Sequence, residues 1–375
     1  MSDQKVVWGY EIYKEMDIFF EKYSTKKILV VCGKSMSHLK INEYFQMLPK
    51  RLNVEVDYFR GFEPNPKYDS VVNGVNQYHE RQCDTIIAVG GGSAIDVAKC
   101  IKLYCNMEKE SNYLEQRIIP NDIPFVAVPT TAGTGSEATS FAVIYHKGEK
   151  QSVADASCIP GLVCMEPHFL NSLPVYQRKA TMLDALCHAI ESFWSVHSTI
   201  ESREFSKEAI KLIMKYKNSY IKNEDEGNKA MLKASHLAGK AINIAKTTAG
   251  HAMCYKLTSL YGIAHGHAAA LCVSKLWSYM IHNTNKCIDL RGEKYLNNIF
   301  WELAYAMECN SIEESVTKFQ NILDEMEVDI PCPNENDFKV LKESVNLERL
   351  KNNPINLNIE TIDDLYHQIL YKGVD

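Results

Sequence analysis

Asp184 and His188 stand four residues apart in KATMLDALCHAIES, and three further histidines, His251, His265 and His267, crowd into TTAGHAMCYKLTSLYGIAHGHAAAL. On a helix that spacing places Asp184 and His188 on one face, where both can meet a single cation. An imidazole among small and apolar residues is costly to bury without a partner, so these histidines need a shared reason to be there. One carboxylate with three imidazoles supplies it. Such an N/O ligand set suits Fe(II), Zn(II), Ni(II) or Co(II) better than magnesium or calcium. Either cluster alone is equally what a buried structural hydrogen bond would look like, so the case depends on what accompanies them.

Two loops accompany them. After the apolar run DTIIAV come Gly90, Gly91, Gly92 and Ser93, and then AIDVAKCIKLY with helical periodicity. A strand, a glycine turn and a helix let a pyrophosphate approach the backbone and meet the free N–H groups at the helix start. The spacing is not GxGxxG, and a plain strand-to-helix connection reads the same way. A second cluster, Thr130-Thr131-Ala132-Gly133-Thr134-Gly135-Ser136-Glu137, follows the run FVAVP and offers hydroxyls and amides to the same dinucleotide, or else is a flexible turn. Two such loops at strand ends favour a nucleotide crevice.

The elements that must hold these residues divide the chain near Pro174. Up to there, the runs KKILVVCG, DTIIAVGGG and IPFVAVPTT read as buried strands alternating with helical segments, which requires a mostly parallel sheet with crossover helices. From about Leu173 the apolar residues recur at three and four positions, so residues 175–375 are expected to be all-helical and residues 1–174 to form the α/β domain. A solvated, charge-rich loop is expected at Lys222 to Lys229. The 375 residues carry 23% charged and 46% hydrophobic side chains and a net charge of −6, which gives no preference for nucleic acid or an anionic membrane. No charge-free run is long enough to span a bilayer, the N-terminus lacks a signal-peptide pattern, and the twelve scattered cysteines contain no CxxC pair. A reducing cytoplasm is the expected compartment, with most thiols in the core.

GGGSAIDVAK, PTTAGTGSE, DALCHAIE and the pair His251 and His265 ending in HGH together resemble the iron-containing (group III) alcohol dehydrogenase family, in the right order over roughly residues 25–285. The resemblance implies a dehydroquinate synthase-like fold: a Rossmann-like N-terminal domain binding NAD(P), a helical C-terminal domain carrying the metal, and an active site between them. It implies Asp184, His188, His251 and His265 as ligands of a divalent metal, Fe2+ first and Zn2+ as an alternative. It places Gly91, Gly92, Ser93 and Asp96 at the pyrophosphate and Thr130, Thr131 and Thr134 at the cofactor. It also implies a homo-oligomer, as a dimer, with a small aldehyde or alcohol as partner.

Two departures from the family pattern bear on specificity. Gly33 stands where many members have an aspartate for the adenosine ribose, which removes repulsion against a 2′-phosphate and admits NADP as well as NAD. Tyr255 stands where many members have another histidine four residues after His251, and Lys256 follows it. With GEKQSVA, this stretch is similar to the phosphonoacetaldehyde reductase branch, which implies reduction of phosphonoacetaldehyde to 2-hydroxyethylphosphonate. Lys256, Lys150 and Arg178 are then the cations to expect near an anionic substrate, and His267 or Tyr255 the residues for proton delivery. Butanol- or propanediol-type dehydrogenases and a sugar-acid oxidase are the alternatives within the family. A lyase resembling dehydroquinate synthase and a dinucleotide- or metal-sensing module lie outside it. Residues beyond about 300 carry almost no functional signal.

Overall fold

A computed structural model describes residues 4–109 and 111–371. The chain divides into two compact units, Met1–Ser172 and Leu173–Asp375.

The first unit is built on six strands: β1 (Lys5–Trp8), β2 (Lys27–Cys32), β3 (Glu55–Phe59), β4 (Thr85–Gly90), β5 (Phe125–Pro129) and, after a hairpin, β8 (Leu162–Met165). All neighbours pair in parallel, in the order β1-β8-β5-β4-β2-β3. Helices α1 (Glu11–Lys22), α2 (Ile41–Leu52), α3 (Tyr68–Glu80) and α4 (Gly92–Tyr104) make the crossovers. Two hydrophobic clusters form in this unit: Leu29, Val31 and Ile86 belong to one, Ile28, Val30 and Ile87 to the other. Alternate residues of a strand point to opposite faces, so the sheet is covered on both, which is why these strands read as unbroken apolar runs. The chain leaves β2 outward to β3 and returns to β4 on the other side of β2, so the strand order reverses between β2 and β4. The crevice at the carboxyl ends of strands flanking such a reversal is where open α/β sheets bind ligands.

The hairpin β6 (Phe141–His146) and β7 (Glu149–Ala154) is an antiparallel pair outside the sheet, which the expectation of alternating strands and crossover helices does not contain. Its two-residue turn puts Lys147 at φ 52° and Gly148 at φ 83°. Two consecutive left-handed residues match the twist of a tight hairpin, and only glycine takes that conformation freely.

Within the described residues the second unit contains helices and no strand. They are α5 (Val175–Trp194), α6 (Ile200–Ile221), α7 (Asp225–Ala245), α8 (Ala249–Tyr261), α9 (His265–Ile281), α10 (Glu293–Ala306), α11 (Ile312–Met326), α12 (Glu335–Glu343), α13 (Leu347–Leu350) and α14 (Ile359–Leu370). Helix α5 is the spine: fifteen of its twenty residues are buried, and it packs against α6, α7 and α9. The charge-rich loop expected at Lys222 to Lys229 is instead mostly the first turn of α7. Asp225 and Glu226 fall at its N-terminus, where the helix dipole favours negative charge. Gly227 and Asn228 are buried there, and a Cβ on Gly227 would lie 2.3 Å from the Tyr220 nitrogen.

Arg178 was expected as a cation for an anionic substrate, and the structure corrects that. Its guanidinium is 1% exposed and donates to the Tyr220 carbonyl at 3.0 Å, to Asn228 Oδ1 at 2.7 Å and to Asn223 Oδ1. It closes the α6–α7 turn onto α5. Ten of the twelve cysteines are buried and none is in a disulfide. No helix among the described residues is long and apolar enough to cross a membrane.

Arg178→Met strands the Tyr220 and Asn228 oxygens without a donor, which costs about 3 kcal/mol. Urea unfolding is expected to show a lower midpoint at unchanged m-value; an unchanged midpoint refutes the anchoring role.

Candidate metal centre and cofactor loops

Three helices bring the candidate metal ligands together. Asp184 and His188 lie one turn apart on α5, His251 sits in the first turn of α8, and His265 begins α9. Asp184, His188 and His251 form a buried cluster whose candidate ligand atoms lie within 4.8 Å of one another. From Asp184 Oδ1 the distances are 3.5 Å to His251 Nε2, 3.8 Å to His188 Nε2 and 4.0 Å to His265 Nε2. Donors about 2.1 Å from one tetrahedral metal stand about 3.4 Å apart, so this spacing suits ligands of a shared ion better than hydrogen-bonded partners. His265 is the outlying member, with 35% of its side chain exposed.

The donor set fits a divalent transition metal on an observation internal to the cluster. Asp184 Oδ1 and His251 Nε2 are both buried, and among the described residues neither has a hydrogen-bond partner. Burying such atoms unsatisfied is costly, and a cation between them removes the cost. The electrostatics agree. Burial raises the Asp184 pKa, but His188, His251 and His265 outweigh it and hold the carboxyl well below the usual range. Burial lowers the His251 pKa, and Glu191 with Asp184 more than offset this, raising it to about 9.

Glu191, a residue the sequence analysis does not single out, stands directly behind His251. It is 0% exposed, and its Oε2 pairs with His251 Nδ1. Its Oε1 accepts from Thr248 Oγ1 at 2.6 Å, Thr248 N at 3.2 Å and His251 N at 3.3 Å. A carboxylate on Nδ1 fixes the tautomer and turns Nε2 toward the metal position. The signal was present in the sequence: Asp184, His188 and Glu191 fall at i, i+4 and i+7, one stripe of one helix.

Two glycines allow the helices to meet. A Cβ on Gly266 would lie 2.0 Å from the Ala180 carbonyl oxygen and 2.5 Å from Asp184 Cβ, and one on Gly250 would lie 2.5 Å from Val273 Cγ2 and 3.0 Å from Glu191 Oε1. The residues beside His265 and His251 are therefore glycine because α5 and α9 leave no room for a side chain.

His267 is not brought to this cluster. Two residues along a helix turn the side chain by about 200°, away from His265. His267 is 1% exposed, pairs through Nδ1 with the Tyr176 hydroxyl at 3.1 Å, and lines a cavity of about 220 Å³ with Lys179, Met326 and Asp329. Tyr255 does reach the cluster, its ring stacked on His265 at 5.4 Å between centroids and 12° between planes. Lys256 is half-buried on the same helix.

In the first unit the loops expected to hold the cofactor lie side by side, because β5, β4 and β2 are neighbours. A Cβ on Gly91 would lie 2.9 Å from Thr131 Oγ1, and one on Gly92 would lie 2.8 Å from Thr134 Cγ2. The Thr130 amide donates to the Gly90 carbonyl at 3.0 Å. Gly91 caps α4 without a side-chain hydrogen bond, so the first amides of that helix, from Gly92 and Ser93, have no intrahelical partner and suit a phosphate. Gly33 ends β2, and a Cβ there would meet nothing within 4 Å. Asp96 differs from expectation. One of its oxygens accepts from Ser136 Oγ at 2.5 Å and the other from Val143 N at 3.0 Å, so it clamps α4 to the threonine loop and to β6. Lys99, one turn on, completes the clamp with bonds to Ser136 O at 2.6 Å, Thr139 O at 2.7 Å and Phe141 O at 2.8 Å. Lys150 lies on β7, where its charge acts on Asp96.

Comparison with known proteins agrees with both halves. The family described as iron-containing alcohol dehydrogenase matches residues 3–167, and its C-terminal counterpart, the Fe-containing alcohol dehydrogenase family, matches residues 179–370. Aldehyde-alcohol dehydrogenase 2 of Entamoeba histolytica is 30% identical over 82% of this chain, which spans 39% of that protein's length. A phosphonoacetaldehyde reductase of Streptomyces viridochromogenes is 31% identical over 63% of this chain and 63% of its own length. Among solved structures, an alcohol dehydrogenase from Oenococcus oeni superposes with a TM-score of 0.87 at 26% identity, covering 98% of each chain.

Glu191→Gln is expected to weaken metal affinity about 10- to 100-fold, read by chelator competition, because the amide no longer orients His251 through a charged bond; an unchanged affinity removes Glu191 from the site. Metal uptake must also displace the proton that His251, raised to about 9, holds at neutral pH. Apparent affinity is therefore expected to rise about tenfold per pH unit between roughly pH 7 and pH 9. A flat profile there contradicts the assignment of His251 Nε2 as a ligand.

Proposed function

Because the chain belongs to the iron-containing alcohol dehydrogenase family, whose members work with NAD(P) and iron, we propose that it reduces a small anionic aldehyde, phosphonoacetaldehyde first, to the alcohol. The observation that carries the reading is Tyr255 stacked on His265, with Lys256 following it, where many members of the family have a histidine.

Asp184, His188, His251 and His265 hold the metal, with Glu191 setting the His251 tautomer. Gly91, Gly92 and Ser93 hold the pyrophosphate, and Thr130, Thr131 and Thr134 line the same crevice. When bound, the divalent ion polarises the carbonyl as a Lewis acid and the reduced nicotinamide supplies hydride. The residues of the chain do the rest. The buried cluster keeps water from its imidazoles, and the aligned donors fix where the carbonyl oxygen must sit. Tyr255 Oη is the group assigned to deliver the proton that turns the alkoxide into an alcohol, since its ring lies against His265 and the His267 side chain does not. Lys256 adds positive charge beside it for the substrate's anion, and Gly33 leaves room for NADPH as well as NADH.

Steady-state reduction of phosphonoacetaldehyde and butyraldehyde by metal-reconstituted protein, with NADH and NADPH, tests the reading. The phosphonate is expected to have the higher kcat/KM by at least about tenfold, the factor that about 1.4 kcal/mol of contact energy provides. Equal or better turnover of butyraldehyde refutes it and returns the chain to the butanol- and propanediol-type readings.

A further inference from the structure

Arg349 lies on the one-turn helix α13, far along the chain from the metal-centre residues. Its Cζ stands 5.1 Å from the centroid of the Tyr255 ring, the ring that stacks on His265 at 5.4 Å. The second unit has four arginines, and the other three spend their guanidinium groups on protein oxygens: Arg178 on Tyr220, Asn228 and Asn223, Arg203 on Glu302, and Arg291 on Asp289. Among the described residues Arg349 has no ion pair and no side-chain hydrogen bond. The carboxylate beside it, Glu348, is taken by Lys351 at 2.6 Å. A half-buried arginine normally finds an acceptor, because its five donors are expensive to leave unmade.

The chain fixes where this cation stands. Just beyond α13, Asn352 donates to the Thr247 carbonyl at 3.2 Å and accepts the Val196 amide at 3.1 Å, which ties the segment to the ends of α5 and α7. Asn353 is fully buried and donates to the Ile355 carbonyl at 2.8 Å. The guanidinium stands over the Tyr255 ring. A planar cation lying over an aromatic ring keeps its N–H groups directed outward at its edge, in the fork that matches two oxygens of one anion. A pinned, pre-oriented donor loses little freedom on binding.

We propose that Arg349 is the specificity-determining residue that binds the anionic group of the aldehyde while its carbonyl lies at the metal centre. This rests on the reading of the chain as a reductase of an anionic aldehyde and names the group that selects the charge. Phosphonate, sulfonate and carboxylate all present the paired oxygens that a guanidinium fork receives. Lys256, also without a partner among the described residues, lies on the helix that carries Tyr255 and adds a second positive charge.

The test compares wild type, Arg349→Gln and Arg349→Lys, each loaded with metal and cofactor, on phosphonoacetaldehyde, sulfoacetaldehyde, succinic semialdehyde and uncharged propionaldehyde. For the preferred anionic aldehyde, the ratio of its kcat/KM to that of propionaldehyde is expected to fall about 100-fold in Arg349→Gln, mainly through KM, and to recover in part in Arg349→Lys. Ethylphosphonate, which cannot react, is expected to raise the Tm of the wild type and not that of Arg349→Gln. Metal content and Tm without ligand check that each variant is folded. An equal loss on charged and uncharged aldehydes overturns the proposal, since Arg349 would then only support Tyr255. An anionic preference that survives Arg349→Gln overturns it as well, while leaving the reading of the substrate intact. A wild type with no preference for any anionic aldehyde overturns that underlying reading.

Discussion

Everything in the helical unit depends on bringing one buried carboxylate within 4 Å of three imidazoles without water to pay for it. A carboxylate as buried as Asp184 is tolerable only when opposite charge surrounds it, and the approach of α9 sets how near that charge can come. Gly266 and Gly250 make the approach possible, because the Ala180 carbonyl, Asp184 Cβ and Glu191 occupy the space a larger residue would need. The helices are thus drawn in by the absence of two side chains, and the histidines beside those glycines are brought to Asp184 as a consequence. Glu191 then does for His251 what a solvated imidazole cannot do for itself, holding one nitrogen so that the other has a fixed direction.

The α/β unit solves a related problem with the opposite chemistry. A dinucleotide needs bare backbone, so Gly91 and Gly92 meet Thr131 and Thr134 in contacts that no Cβ would permit. Bare backbone is also floppy, and Asp96 and Lys99 compensate for it. The carboxylate takes Ser136 and the Val143 amide, and the ammonium takes three carbonyls of the same stretch, so the threonine loop is held from the helix beneath it. In both units glycines let the elements come close, and buried charged residues, Glu191 in one and Asp96 with Lys99 in the other, hold the site residues in place.

Much of this was legible in the sequence, for a physical reason that also marks where legibility ends. Asp184 and His188 declare themselves because helical periodicity converts spacing into proximity, and the strand ends before Gly91 and Thr130 declare themselves because a parallel sheet puts its loops on one edge. Glu191 lay on the same stripe and was missed because a helical glutamate normally faces solvent. Asp225 and Glu226 read as loop in a charge-rich stretch, yet acidic residues begin helices as readily as they fill turns. The hairpin at Lys147 and Gly148 is not legible because its short strands lie outside the alternation of strands and crossover helices. Asp96 and Arg178 carried the right charges, but nothing local reveals that Ser136, Val143, Tyr220 and Asn228 come to meet them. Arg349 is the extreme case: its contact with Tyr255 spans 94 positions of chain, and no periodicity connects the two.

If Arg349 binds the substrate's anion as proposed, that long contact also sets what the site discriminates. Asp184 and Glu191 are both held in the ionised form, so with a divalent ion the two negative charges cancel the two positive ones and the inner cluster becomes neutral. A neutral centre exerts little pull on the far end of a substrate. Beside Tyr255 stand Arg349 and Lys256, two positive charges without an ion-pair partner among the described residues. Replacing a histidine by Tyr255 belongs to the same arrangement. An imidazole in that position competes for protons and metal, whereas a phenol ring gives the guanidinium a face to lie on and carries no charge of its own. On that proposal the metal cluster serves the reaction, and Tyr255 with Arg349 selects the charge of what reacts.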